Sequence, residues 1–371
     1  MLSGRKEAGT LAPVRRWLAL LAACLCAIGI AVFFARPRPR TGPSPDPHPA
    51  PARAFYYWKT QWLAGSAPPQ TLRDLAIARL YLRLFDVDWD PSLRAAQPVA
   101  PLVFSAPLPP GLDIVPVVFI TNQVFLQTQP SEIDGLARRV LRKIDAMSAA
   151  QGIAAREVQL DCDWSSGSRV RYFDFLARLR SALAARDQRL SVTLRLHQIK
   201  YAARTGVPPV ERGMLMFYNF GPLSADAARS AIYNTEDAQR YAAYIAGYAL
   251  PLDLSLPLFS WAVHGRDGNV VGVIEKLEAA DIEQVAAFRR LGDGHYQAQR
   301  GVFLRSHYFI EGDELRIEQT TSHSTLQAAI TAARGAAGKK PFGTIALFDL
   351  DERNLRHHAT SDLQNILAVF R

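Results

Sequence analysis

The stretch Val158-Gln-Leu-Asp-Cys-Asp163 (VQLDCD, 158–163) reads as a short strand that ends on two acids. Successive side chains of a strand point to opposite faces, so Asp161 and Asp163 share one face and Cys162 takes the other. Directly downstream, Tyr172, Phe175, Leu176, Leu179 and Leu183 recur at helical spacing. Upstream, Ile133, Leu136, Val140, Ile144 and Met147 form a second helical face, with Ser131, just after Pro130, as its expected N-cap. A strand set between two amphipathic helices is the unit of a parallel sheet with crossover helices.

Further strand-like runs extend that unit in both directions: Phe55–Trp58, Tyr81–Val87 and Ile114–Ile120 before it, Ser191–Leu196, Met214–Phe220, Leu254–Ser260 and Thr344–Leu350 after it. A last helical face, Leu363, Ile366, Leu367 and Phe370, closes the chain. Eight such units predict an α/β fold, a closed (β/α)8 TIM barrel over residues 54–371. An open doubly wound sheet often carries a glycine-rich phosphate loop, and no GxGxxG or GxxxxGK[ST] occurs. The long gap between the seventh and eighth runs holds two hairpin signals, Arg266-Asp-Gly-Asn269 and Glu311-Gly-Asp313. It predicts a small inserted α+β subdomain over about 263–340.

The net charge of +9 is concentrated outside this region. Eight basic residues against Glu7 and Asp46 give residues 1–53 six of the nine charges, leaving +3 for the other 318 residues. That excludes a nucleic-acid surface, which needs clustered charge on the folded domain. Trp17–Ala35 runs 19 residues without a charge, flanked by Arg15 and Arg16 and by Arg36, Arg38 and Arg40. It is long enough to span ~30 Å of hydrocarbon as a helix. Residues 1–35 read as a cytoplasmic tail and a signal-anchor transmembrane helix (17–35) in an inner membrane, crossing once, with the domain facing the periplasm or cell exterior. The alternative is a lipoprotein signal, Leu21-Ala-Ala-Cys24, with Cys24 lipidated; both readings tether the protein. Residues 36–53 hold seven prolines in eighteen positions, a semi-rigid spacer of roughly 50 Å. Cys162 is the only cysteine of the folded region, so no disulfide forms within it.

In such barrels reactive groups gather at the C-terminal ends of the strands. Three strand ends carry the pattern D-x-D: Asp86 and Asp88, Asp161 and Asp163, Asp349 and Asp351. Crowded, partly desolvated carboxylates raise one another's pKa, which prepares a general acid at neutral pH. The competing structural reading pairs them with arginines such as Arg83 and Arg195 or makes them helix caps. Trp58, Trp62, Trp89, Trp164 and Trp261 fall at or just beyond strand ends, with His197, Tyr218 and Asn219 at the fifth and sixth. Tryptophan faces stack on the apolar faces of sugar rings, although the same residues also serve as plugs of a barrel mouth. The histidines have no metal-ligand spacing and no G-x-S-x-G occurs, so neither a metal, a cofactor nor a serine nucleophile is expected.

QLDCDWS (159–165) followed by YFDFLARLRSAL (172–183) resembles the fourth-strand D-x-D-x-E signature and following helix of family-18 glycoside hydrolases, the chitinase group. MLMFYNFG (214–221) and GTIALFDLDE (343–352) resemble its sixth and last strands. The set FYYWKTQW, DVDWD, QLDCDW and LPLFSW is still more similar to an uncharacterised bacterial TIM-barrel family, a domain of unknown function that is itself chitinase-like. The resemblance implies a glycan or polysaccharide partner and carries over Asp161, Asp163 and Tyr218. It does not carry over the proton donor, because Ser165 stands at the catalytic glutamate position and Asn219 at that of the sixth-strand aspartate. Two expectations follow. One is a monomeric, membrane-tethered glycoside hydrolase acting on an envelope polysaccharide, with Asp163 as acid or nucleophile, Asp161, Asp88 or Asp351 as further carboxylates, and Trp62, Trp89, Trp164, His197, Tyr218, Asn219 and Trp261 holding the sugar. The other is a non-catalytic chitinase-like glycan-binding protein.

Overall fold

Eight parallel strands close on themselves in the computed structural model, which describes residues 50–219, 223, 231–319, 327–328, 331–335 and 340–370. They are β1 (Ala52–Tyr57), β2 (Arg79–Asp90), β3 (Asp113–Ile120), β4 (Glu157–Asp161), β5 (Arg189–Arg195), β6 (Arg212–Met216), β7 (Leu252–Pro257) and β8 (Thr344–Phe348). Each pairs with its neighbour in chain order, and β1 also pairs with β8, so the sheet has no free barrel edge. This is the TIM barrel. The segment Trp17–Ala35, Cys24, the linker to residue 49 and Phe220 lie outside the described residues; among those described, no helix is long and apolar enough to cross a membrane.

Alternation along each strand divides the core into two layers. Phe55, Tyr57, Leu82, Leu160, Cys162 and Leu194 face outward against the helices, α1 (Ile133–Ala150) and α2 (Arg169–Ala184) among them. Ala54, Tyr56, Tyr81, Val115, Val117, Met214 and Met216 face into the barrel. The α1 stripe is buried at Ile133, Leu136, Val140 and Ile144, and that of α2 at all five positions from Tyr172 to Leu183. Ser131 does not cap α1. It sits inside a 3-10 turn, Pro130–Glu132, which the Gln129 N–H closes by donating to Glu132 Oε2 at 2.9 Å.

The interior face of β4 is polar from bottom to top. Glu157 pairs with Arg79 at 3.4 Å and accepts from Ser191 Oγ at 2.6 Å. Gln159 accepts from Tyr56 Oη and donates to Ser191. Asp161 accepts from Thr193 Oγ1 and lies 3.6 Å from Arg195 Nη2, while the same guanidinium donates through Nε to Asp163. Buried polar groups must be satisfied, and here β5 supplies Ser191 to both Glu157 and Gln159 and Thr193 and Arg195 to Asp161, while Arg79 of β2 and Tyr56 of β1 complete the lower part.

Two features depart from the expected outline. The strand β2 continues to Asp90 and folds back on Ala95–Val99, so Asp88 leaves the barrel mouth on this hairpin, where it is exposed and accepts from Thr121 Oγ1 at 2.7 Å. After Pro257 the chain forms a five-stranded antiparallel sheet, in the order 269–275, 260–266, 314–319, 295–298, 288–292. Asp267-Gly268 makes its first hairpin turn. Glu311-Gly312 makes a turn between strands that do not pair with one another, since 307–309 pairs only with 302–304.

Trp62 and Trp164 correct the expectation that they stack on a glycan: both rings are buried. Trp62 donates Nε1–H to the Pro107 carbonyl at 3.2 Å and meets Tyr57 edge-on at 4.6 Å. Trp164 donates to the Thr205 carbonyl at 3.0 Å and packs on Tyr172 and Phe173. Trp164→Ala should therefore destabilise the domain by roughly 3–5 kcal/mol in chemical denaturation, as large-to-small core changes do, with any glycan affinity of the folded fraction unchanged. Removing the cation shared by Asp161 and Asp163 has a different signature. Arg195→Met strands a buried carboxylate, costing on the order of 3 kcal/mol at neutral pH. Burial already raises the Asp161 pKa against the pull of Arg195. Without Arg195 it rises further, so the folded state holds a proton that the unfolded chain releases above ~4. Stability of the variant is thus greatest in acid and falls as pH rises to the folded pKa, and denaturation midpoints measured from about pH 4 to 8 read that slope.

Candidate functional site

A cleft of about 260 Å³ opens at the C-terminal ends of the strands. Its floor is the top of the β4–β5 column: Asp161, buried, and Asp163 above it, with a side chain 52% exposed. Arg195 spans both, and its Nη2 reaches Asp163 Oδ2 at 3.4 Å. The guanidinium stays charged because the two carboxylates more than offset its burial. Tyr218, buried with its phenol pKa pushed up by desolvation, and Asn219, exposed with φ 57°, line the same cleft.

The walls are aromatic. Phe348, at the end of β8, is the hub, with ring centroids 5.5 Å from Trp58, 5.9 Å from Phe259 and 5.7 Å from Tyr218. Trp261 packs on Phe259 at 5.5 Å and donates Nε1–H to Glu318 at 3.0 Å, which fixes the plane of its ring. Trp58 lies under Arg83, whose guanidinium carbon is 5.9 Å from the ring centroid and whose charge is met by Asp86. Trp58 and Trp261 are half-buried, so each keeps an accessible edge or face toward the cleft.

The third D-x-D pair is tied down by lysines. Asp349 is buried and lines the cleft; Lys276 donates to it and to Asp351, each at 3.0 Å. Burial raises the Asp349 pKa despite Lys276. Asp351 experiences the same burial penalty but is brought down to about 2 by Lys276 and Lys59. It also caps the helix Glu352–Leu355 by accepting the Arg353 N–H. Asp351 and Asp88 are therefore not cleft carboxylates, for opposite reasons: one is locked into a helix cap and two ion pairs, the other is carried off on the β2 hairpin. Trp89 is half-buried against the outer core, and His197 is exposed on the helix Leu196–Lys200; neither lines the cleft.

The structure thus gathers Asp161, Asp163, Tyr218, Asn219 and Trp261 and separates Asp88, Asp351, Trp62, Trp89, Trp164 and His197 from them. Ser165 turns away: its N–H donates to Ser168 Oγ at 2.9 Å, and its Oγ accepts from Asn122 at 3.3 Å. Lys276 and Glu275 belong to the site but had no local signal in the sequence, because they arrive from the antiparallel sheet. Phe259 and Phe348 were readable only as strand residues. Among the described residues, no group of three or more His, Cys, Asp or Glu side chains is gathered to hold a metal ion.

No family model and no curated protein matches this sequence. Solved structures do match. The spore cortex-lytic enzyme SleL of Bacillus cereus is 13% identical, with a TM-score of 0.50, over 86% of this chain and 74% of its own. A Group IV chitinase of Ostrinia furnacalis is 12% identical at a TM-score of 0.50, over 86% and 99%. A class V chitinase of Pseudomonas fluorescens is 13% identical at a TM-score of 0.51, over 86% and 100%. At such identities the likeness is one of fold: the chain has the barrel of the chitinase-like glycoside hydrolases.

Proposed function

We propose that this protein is a membrane-tethered glycoside hydrolase acting on an envelope or extracellular polysaccharide held at the barrel mouth, with Asp163 as its strand-borne catalytic carboxylate. The observation that carries this reading is the accessible Asp163, oriented by Arg195, beneath an aromatic wall of Trp58, Phe259, Trp261 and Phe348. Apolar ring faces meet such walls, and glycoside cleavage needs a carboxylate beside the anomeric carbon. Asp163 is committed to accepting hydrogen bonds from a guanidinium, which suits it to take a proton from water or attack carbon rather than to donate. Asp161 lies below as its partner within the column. A second reading, glycan binding without cleavage, is favoured by Ser165, which stands where the chitinase pattern has its acid and does not line the cleft.

One experiment separates them. The wild type is offered (GlcNAc)4 and purified peptidoglycan, with product release and calorimetric binding both measured. Under the enzyme reading, Asp163→Asn lowers turnover 10²–10⁴-fold with little change in folding, and Trp261→Ala weakens binding by roughly 1–3 kcal/mol. Binding with no product from either glycan would establish the second reading.

The layout proposed around the barrel is an anchor at 17–35 behind a short cytoplasmic tail, a spacer at 36–53, whose last two residues already belong to β1, and a monomeric domain facing the periplasm or cell exterior. The antiparallel sheet is read as a subdomain inserted in that barrel. Its support is the uncharged 19-residue run and the proline density that follows it. The full-length protein should sediment with membranes. Cys24→Ser leaves that unchanged if 17–35 is a transmembrane anchor; loss of lipidation and of membrane association would identify a lipoprotein instead.

A further inference from the structure

The cleft lacks a proton donor on β4, and a carboxylate enters it from elsewhere. Glu275 ends the strand 269–275 of the antiparallel sheet and lines the cleft. It stands directly opposite Trp261 in the antiparallel ladder, so the two side chains share one face of that sheet, Cβ atoms about 5 Å apart. The other cleft carboxylates are engaged: Asp161 and Asp163 by Arg195, Asp349 by Lys276. Glu275 is exposed, and among the described residues its carboxylate makes no hydrogen bond or ion pair. Its backbone, by contrast, is fixed: the Glu275 carbonyl accepts from Arg305, and the Lys276 carbonyl accepts from Arg305 and Arg353 at 2.9 and 3.1 Å. An unengaged acid on a fixed backbone, next to an aromatic platform and lining the same cleft as Asp163, offers the second carboxylate that glycoside cleavage uses.

We infer that Glu275 is the general acid of this cleft, a catalytic residue supplied by the antiparallel sheet in place of the glutamate absent at position 165. This rests on the hydrolase reading above. In the step, the Glu275 proton passes to the glycosidic oxygen as the bond from that oxygen to the anomeric carbon breaks. A water oxygen bonds to the same carbon, and its proton passes to Asp163. Solvent then returns one proton from Asp163 to Glu275, so the sum is one glycoside and one water giving two hydroxyl products.

The test compares two leaving groups. A sugar leaving group must be protonated, whereas dinitrophenolate departs without a proton. Glu275→Gln should lower kcat 10²–10⁴-fold on (GlcNAc)4 or peptidoglycan, whichever the wild type cleaves, and less than about tenfold on 2,4-dinitrophenyl chitobioside, with the alkaline limb of the pH–rate profile lost. Asp163→Asn should fall on both substrates. Equal loss on both by Glu275→Gln, or a raised KM with unchanged kcat, makes Glu275 a sugar-positioning residue and overturns the assignment while the hydrolase reading stands. Binding of (GlcNAc)4 or peptidoglycan by the wild type with no cleavage of either overturns both. Glu275 is a surface residue, so circular dichroism of the variant is expected to match the wild type.

Discussion

A carboxylate inside a barrel is tolerable only if something of opposite charge is brought to it, and here one guanidinium does that for two aspartates at once. Arg195 lies at the end of β5, beside Asp161 at the end of β4 and within reach of Asp163 one pleat above. Breaking such a pair costs several kcal/mol because an unpaired charge stays behind in low dielectric. The column beneath repeats the solution at lower cost, with Gln159 bonded to Tyr56 and Ser191, and Glu157 to Ser191 and Arg79. At the bottom Asp253, fully buried against Arg212, has its pKa raised by burial to about 6. The polar interior is therefore anchored by cations at both ends, and the upper anchor is also what orients Asp163 in the cleft.

This arrangement accounts for what could be read in advance. All eight barrel strands were legible, because each combines a short apolar run with alternation and is followed by a helical stripe or a turn. Their ends were less so: the fourth run was expected to reach Asp163, but pairing stops at Asp161. The D-x-D pattern falls at or just past the strand end on β4 and β8 but inside β2, which runs on to Asp90, and alternation says nothing about which cation will arrive. Arg83 and Arg195 come from the same or the adjacent strand and were readable as partners. Lys276 comes from a sheet more than seventy residues before Asp349 in sequence, and no local pattern announces it. Five tryptophans near strand ends looked alike in the sequence; burial divides them into two core rings, one packed on the outer core, and two that face the cleft.

The antiparallel sheet is what turns a barrel mouth into a cleft. Its first strand begins at Ser260, three residues past the end of β7, so Trp261 is delivered with almost no loop entropy to be lost. Its second strand ends at Glu275, and the next residue, Lys276, reaches back to Asp349 and Asp351 after β8. A salt bridge with two buried carboxylates, joined by the Arg353 contact to the Lys276 carbonyl, clamps the end of the sheet to the barrel rim, while Arg305 ties the same backbone to the turn between 302–304 and 307–309. The cleft is thus composite. Strands β4 and β5 give it an anionic floor with its cation, β1 and β8 give it Trp58 and Phe348, and the sheet gives it Trp261 and the unengaged carboxylate.

Beyond Asp163 the chain serves packing and the junction with α2, not the cleft. In a strand that continued past Asp163 with regular alternation, residue 165 would point the same way as Asp161 and Asp163, into the barrel mouth. Here ladder pairing stops at Asp161, and Leu160, Cys162 and Trp164 all pack on the outer side, with the Trp164 ring on Tyr172 and Phe173 and its N–H donating to the Thr205 carbonyl. The Ser165 N–H donates to Ser168 Oγ before α2, its Oγ accepts from Asn122 at the start of the helix that follows β3, and its carbonyl accepts the Arg169 N–H at 2.9 Å in the first turn of α2. With serine at position 165, Glu275, beside Trp261, is the cleft carboxylate that has no partner among the described residues.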